Sequence, residues 1–382
     1  MTRLVFSVAL VSIIVSLNLL VTGCAAPAAA PTSTPAKPAG ETAKPTAAAP
    51  AVPKATPAAS TSQSAPQQLK TVKVADLKII TNAALYVAAA RGYFKEQGLD
   101  VDIVPFDTAS KATPALGTGE LDVVLGSTSA GLFNAIARGV GIVIAIDKGV
   151  QLAGKPSMYL MVRKDLYDSG QVKSVEQLKG RKISTASTAS GGHFQLVKML
   201  ESAGIKDSEV EISTLAWADL PAAFKSKALD AAMAVEPNAT ILRDQGLAEV
   251  LATTDKALPG FQSGVVMFGE KFIQRDSDAA KKFTLAYIKG ARDYEDARRK
   301  AKDRKPIIDI LTKYTTSKDP ALLNRVEWPY INPNGLVNRK SVMDEQKWYV
   351  EKDFMKTIIP EEKLFDDQFV QYAIKQLGEY KE

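Results

Sequence analysis

The side chains able to do chemistry in this 382-residue chain are few and fall in short clusters. There is one histidine, His193, and one cysteine, Cys24. A single His allows no His-rich metal site and no more than one His-paired triad. Hydroxyls and carboxamides are better represented, in Ser127-Thr128-Ser129, in Ser187-Thr188-Ala189-Ser190, at Asn82 and in Glu236-Pro237-Asn238. Aromatic rings stand near them at Tyr86, Phe106, Tyr159, Trp217 and Phe261. Groups of this kind hydrogen-bond and stack, which is the chemistry of holding a small molecule. His193 reads as a polar residue near a helix start or as one more ligand contact.

The elements that must position these residues come in a pattern written twice. The first copy, Tyr86 to Ser129, has a helix-like run, the link Glu96-Gln97-Gly98, an alternating strand Leu99 to Val104, then Pro114-Ala115-Leu116 and Gly119-Glu120-Leu121-Asp122-Val123. The second has a helix Phe194 to Ser202, the link Ala203-Gly204, a strand Val210 to Ile212, then Pro221 to Phe224 and Leu229-Asp230-Ala231. The copies start about 107 residues apart, beyond the 20 to 50 residue periods of solenoids, and read as two similar lobes. Asp122 and Asp230, each at a turn before a strand, read as local hydrogen-bonding residues. Strands and helices alternate, so the class is α/β with largely parallel sheets, and a ligand belongs outside the carboxyl ends of the strands. The clusters above fall at those ends. Pro156 to Val162 reads as a strand leaving the first lobe and Gly260 to Phe268 as one going back, so two strands form a hinge. The first lobe is expected over 71–155, the second over 156–258, and 259–382 returns to the first lobe and ends in helices. On those helices, Arg298 to Lys305 is a basic run that reads as a solvated face or a docking surface.

Composition bounds the rest. Hydrophobic residues make up 46% and charged residues 24%, enough to bury a large core, and the net charge of +6 comes without the basic, aromatic-interleaved runs that nucleic-acid binding needs. At the N-terminus Arg3 precedes the apolar stretch Leu4 to Leu20 and Val21-Thr22-Gly23-Cys24, a secretory pattern over 1–23. Val-Thr-Gly-Cys resembles a bacterial lipobox, which implies that Cys24 carries lipid. Residues 24–70 are rich in Ala, Pro and Thr with little to bury, the composition of a disordered tether.

Gly92-Tyr93-Phe94-Lys95-Glu96-Gln97-Gly98-Leu99-Asp100-Val101, with Gly119 to Val123 and, further on, Val175 to Lys182, Leu200 to Gly204 and Ala228 to Ala231, resembles the solute-binding proteins of bacterial ABC importers. The branch is the one for sulfonates, taurine, nitrate and thiamine-precursor pyrimidines. The resemblance implies a type II periplasmic-binding fold, two lobes on a two-strand hinge with a helical C-terminal tail. It also implies a ligand in the cleft, a permease and its ATPase as partners, no cofactor, and a lipid-anchored place on the extracytoplasmic face of the cell membrane. The implied contacts are Asn82, Tyr86, Phe106, Ser127, Thr128, Tyr159, Ser187, Thr188, His193, Trp217, Glu236 and Asn238. Because the candidate loops hold no Arg or Lys except Lys111, their chemistry favours an uncharged aromatic vitamin, riboflavin first and a thiamine-type pyrimidine second. An alkanesulfonate, taurine or nitrate held at the two hydroxyl-rich helix starts is the alternative. A pyrimidine-synthase-like enzyme would need the cysteine-rich motif that this chain lacks. A surface sensor without transport reads the same as an importer component.

Overall fold

The computed structural model describes residues 68–106, 108–300 and 303–381. The signal, Cys24 and nearly all of the tether therefore lie outside the described residues, as does Asp107. Lys70–Asp76 (β1) turns Val72, Val74 and Ala75 to the core, and α1 (Ala83–Ala90) follows it. Gly92, at φ +77, breaks the helical stretch before a short turn at Tyr93–Glu96. β2 (Leu99–Pro105), α2 (Ala109–Thr118), β3 (Val123–Gly126), α3 (Ala130–Ala137) and β4 (Ile142–Val150) complete the first copy. The chain then crosses to β5 (Tyr159–Arg163), β6 (Lys182–Thr185), α4 (Gly191–Ser202) and β7 (Glu211–Thr214). β8 (Ala231–Ala234), α5 (Asn238–Asp244) and β9 (Ala248–Thr253) finish the second copy before β10 (Gln262–Gly269) returns. The main helices after it are α6 (Ser277–Arg299), α7 (Lys305–Tyr314), α8 (Pro320–Arg325), α9 (Arg339–Glu351) and α10 (Gln368–Leu377). None of the described helices is long and apolar enough to cross a membrane.

The two copies build two five-stranded sheets with equivalent orders, β2-β1-β3-β10-β4 and β7-β6-β8-β5-β9. Both are mixed rather than simply parallel. β10 runs antiparallel to β3 and β4, and β5 antiparallel to β8 and β9. Each of these strands arrives from the other lobe and so enters its sheet from the cleft end, against the direction of its neighbours. The repeated aspartates do the same work in both sheets. Asp122 accepts from the Lys73 N–H at 2.9 Å and Asp230 from the Lys182 N–H at 3.0 Å, tying the start of the third strand of each copy to the first.

Two buried glutamines knot the crossings. Gln151 accepts from the Ser157 N–H and hydroxyl and from Thr254 Oγ1, and donates to the Leu258 carbonyl. Gln262 donates to Asp147 and to the carbonyls of Gly149 and Gly264, while its own carbonyl accepts from the Asn338 N–H. On one face of the first sheet α1, α6 and α10 pack together, so closely that a Cβ on Gly290 would stand 2.3 Å from the Ala84 carbonyl oxygen. The other face is covered by α2, α3 and α9, and this core continues into α4 of the second lobe through Phe194 and Val197.

Candidate functional site

At the carboxyl end of β1, Asp76 is buried and its Oδ1 accepts from Asn82 Nδ2 at 2.6 Å and the Tyr86 hydroxyl at 2.5 Å. Burial and the Asp76 carboxylate push the Tyr86 phenol well above its usual range, so it remains a donor. Near the end of β4, Lys148 reaches across the sheet. Its Nζ donates to Thr81 Oγ1 at 2.8 Å and would lie 3.1 Å from a Cβ on Gly264, so the lack of a side chain there leaves it room. Lys148 is 3% exposed, and Thr81 is its hydrogen-bond partner among the described residues. An ammonium has three N–H donors. Burial pulls its pKa from 10.5 down to about 8, with Asp147 and Asp76 holding it up. Asp147 itself points to the hinge side, where burial pushes it up to about 7 against donors from Gln262, Asn332 and Gly149.

The facing wall comes from the ends of β5 to β8. Ser184 Oγ, Thr185 Oγ1 and Trp217 Nε1 are buried with no hydrogen-bond partner among the described residues, as is Asn82 Oδ1 on the first lobe. A buried polar atom left unpaired costs about 1–3 kcal/mol, so each of these atoms stands to gain from a bound partner. Tyr159, half-buried, pairs in register with Ala234, and burial together with Glu236 raises its phenol pKa. Glu236 accepts from the Thr240 N–H and hydroxyl, which fixes it on the first turn of α5 beside the half-buried Asn238.

Between these walls the starts of α3 and α4 meet. Ser129 and Ser190 cap their own helices and form an isolated antiparallel bridge, with Ala130 N–H donating to the Ala189 carbonyl at 3.0 Å and Gly191 N–H to that of Thr128 at 3.4 Å. Glu345 of α9, fully buried, accepts from the hydroxyls of Thr128 and Tyr349, and its Oε1 would lie 3.4 Å from a Cβ on Gly191. Burial pushes its carboxyl up to about 7 against those two donors. Arg325 and Asp244 join the lobes again with an exposed ion pair at 2.8 Å.

Several expected contacts are taken up by the fold. The Tyr86 ring stacks on Tyr314 at 5.2 Å and Phe261 on Phe194 at 5.6 Å, so neither offers a free face. His193 is buried edge-on against Trp348, its Nδ1 accepting from the Ala189 N–H at 3.2 Å, and burial lowers its pKa. Thr128 serves Glu345. Exposed Ser127 and Thr188 and half-buried Phe106, Ser187, Tyr159, Trp217 and Asn238 stay nearer solvent. Lys148, Asp76, Ser184 and Thr185 were not among the expected contacts. The β4 strand continues past Ile146 to Val150 and so carries Lys148 to the strand end, and the polar end of β6 carries Ser184 and Thr185. Among the described residues no group of three or more His, Cys, Asp or Glu could hold a metal ion.

The family model described as NMT1/THI5 like matches residues 80–298. A putative binding protein of Bacillus subtilis, YtlA, is 27% identical over 285 residues, 69% of this chain and 81% of its own. Among solved structures, the nitrate-binding protein NrtA of Synechocystis superposes with a TM-score of 0.68 at 13% identity, covering 81% of this chain and 90% of its own. The aliphatic sulphonate-binding protein SsuA of Escherichia coli gives 0.62 at 18%, covering 78% and 97%. The desulfurization enzyme DSZB gives 0.57 at 12%, covering 81% and 99%. At these identities the likeness is one of fold: two α/β lobes of the type II periplasmic-binding kind, with a helical C-terminal extension.

Proposed function

The chain belongs to the NMT1/THI5-like family, and from that premise we propose that it is the solute-binding component of an ABC importer that holds a small anion between its lobes. The observation that carries the anion is Lys148, a buried ammonium at the strand ends with N–H donors to spare. On the second lobe the neutral groups of Ser184, Thr185 and Trp217 Nε1 are buried without partners among the described residues, and a bound anion can supply an acceptor. The nitrate and sulphonate named for two proteins of like fold are anions. A vitamin heterocycle such as riboflavin has less support, because two of the five rings expected to stack on it are packed in the core and because Lys148 adds a cation to loops that hold no Arg or Lys except Lys111. One protein of like fold is an enzyme, but with His193 packed against Trp348 this cleft has no imidazole to serve as a base.

Titration calorimetry and thermal unfolding of the chain from Ser64 onward, a compact unit by itself, test this with ethanesulfonate, nitrate, riboflavin and an aminopyrimidine. An anion at a hundredfold its Kd should stabilise by about 2.7 kcal/mol. Stabilisation by riboflavin or the pyrimidine alone would return the reading to a vitamin carrier. The same proposal includes delivery to a permease, the lobe limits 71–155, 156–258 and 259–382, and a lipid on Cys24 that holds the protein at the extracytoplasmic face of the membrane. Metabolic labelling with an alkyne fatty acid, abolished by Cys24→Ala, tests the anchor.

A further inference from the structure

The helix α9 straddles the two lobes. Its inward stripe, Val342, Glu345, Gln346, Trp348 and Tyr349, repeats at helical spacing but is shared between different partners. Tyr349 packs against Phe133 of α3 in the first lobe, with ring centroids 6.0 Å apart. Trp348, the next residue round the helix, meets His193 and Phe194 of α4 in the second lobe, each at 5.4 Å. Glu345 lies one turn earlier, where α3 and α4 start, bonded to Thr128 of the first lobe and beside Gly191 of the second. At the far end of the helix Lys352 pairs with Asp207 of the second lobe at 2.7 Å. Both flanks of α9 are held to the first lobe and the hinge: Ser341 Oγ accepts from the Gln262 N–H, and the Phe354 carbonyl accepts from Asn134.

We infer that α9 is a strap that closes the lobes by itself, with the Glu345 carboxylate acting as an internal occupant of the junction between the starts of α3 and α4. Glu345 reaches this junction from the C-terminal extension, so the chain itself supplies the acceptor for the Thr128 hydroxyl there. Each of these contacts is made by protein groups, so closing the lobes through them asks for no ligand. The exposed Arg325 to Asp244 pair at the opposite edge adds little. Opening would uncover Trp348, His193 and Phe194 and part Lys352 from Asp207, so the lobes rest together and the swing that admits ligand is the rarer state. This inference does not depend on which ligand the cleft takes.

The test measures the distance between spin labels at Ala321→Cys, on α8, and Lys225→Cys, on the second lobe, both exposed. The chain from Ser64 onward carries them, since it lacks Cys24, the natural cysteine. Without added ligand the distribution is expected to be narrow, at the separation of the closed structure, and to stay so with ethanesulfonate or nitrate. Lys352→Glu, which sets like charges face to face at the surface, should broaden it toward longer distances, and adding Asp207→Lys should restore it. Glu345→Gln keeps the shape of the side chain but replaces one of the two oxygens that accept from Thr128 and Tyr349 by an NH2 donor, and should widen the distribution partway. A distribution that is already long or broad before ligand is added, or one that neither Lys352→Glu nor Glu345→Gln alters, would overturn the strap.

Discussion

Replacing Lys148 with Met should abolish anion binding while leaving the fold intact, and the structure sets the size of both effects. Burial moves the ammonium from pKa 10.5 to about 8, so holding it charged at neutral pH costs the folded chain about 3 kcal/mol. Lys148→Met relieves that cost. It also strips Asp76 of its neighbouring positive charge, but the donors from Asn82 and Tyr86 remain, so the two changes roughly offset in stability. Binding has no such compensation. Truncating one partner of a buried, hydrogen-bonded charge pair costs about 2–5 kcal/mol, or about thirtyfold to a few thousandfold in Kd. The pH dependence follows with a definite sign. In the free protein Lys148 loses its proton above about pH 8, while a bound anion raises its pKa again. Binding at higher pH must then take up a proton, and affinity should fall by up to about tenfold per pH unit above 8. Calorimetry with the best anion, in wild type and Lys148→Met from about pH 7 to 9.5, reads both effects. Equal affinity in the two proteins, or a flat profile in wild type, would refute the placement of the anion on Lys148.

Three other outcomes test the fold beneath the site. Glu345 has its pKa raised from 4.5 to about 7 and Asp147 from 3.8 to about 7, so the folded state holds protons that the unfolded state releases. Their contribution is full below about pH 4 and is lost as pH rises through 7, about 3 kcal/mol for Glu345 alone; the urea midpoint should be higher at pH 5 than at pH 8, with a smaller difference in Glu345→Gln. Gln151→Ala removes the acceptor for Ser157 and Thr254 at both crossings and should cost about 2–4 kcal/mol in urea unfolding; a loss under about 0.5 kcal/mol would mean that the knot does not hold the hinge. Gly290→Ala would put a methyl 2.3 Å from the Ala84 carbonyl oxygen and 2.8 Å from the Ala88 nitrogen. Since backbone cannot yield as a flexible side chain does, a loss of about 1–3 kcal/mol is expected, and an unchanged midpoint would show that α1 and α6 are not so close.

The architecture was legible because its signals are local and repeated. The alternation of Leu99 to Val104, the break at Gly92 and the turn aspartates Asp122 and Asp230 each act within a few residues or on the neighbouring strand, and writing them twice made the lobes visible. The direction in which β5 and β10 enter their sheets is different, since it depends on which lobe a strand comes from, and no local pattern carries that. The site was legible in its loops and missed in its charges. Asp147 and Lys148 end the apolar run of β4, and a buried lysine there makes sense only once Gly264 opposite leaves it room and Asp76 stands close enough to oppose its charge. Glu345 is harder still: its partner Thr128 is 217 residues away, and along the helix it looks like any other charged residue. These two charges reverse the argument about the ligand. Without Lys148 the cleft offered only hydroxyls, carboxamides and rings, which suits a neutral heterocycle. With it the first lobe has a cation near Thr81 and Asp76, while the two helix starts are capped by Ser129 and Ser190 with Glu345 of the C-terminal extension beside them. An anion in this cleft is therefore expected to sit on Lys148 at the strand ends, and a variant that changes Ser129 or Ser190 should alter closure of the lobes more than the choice of ligand.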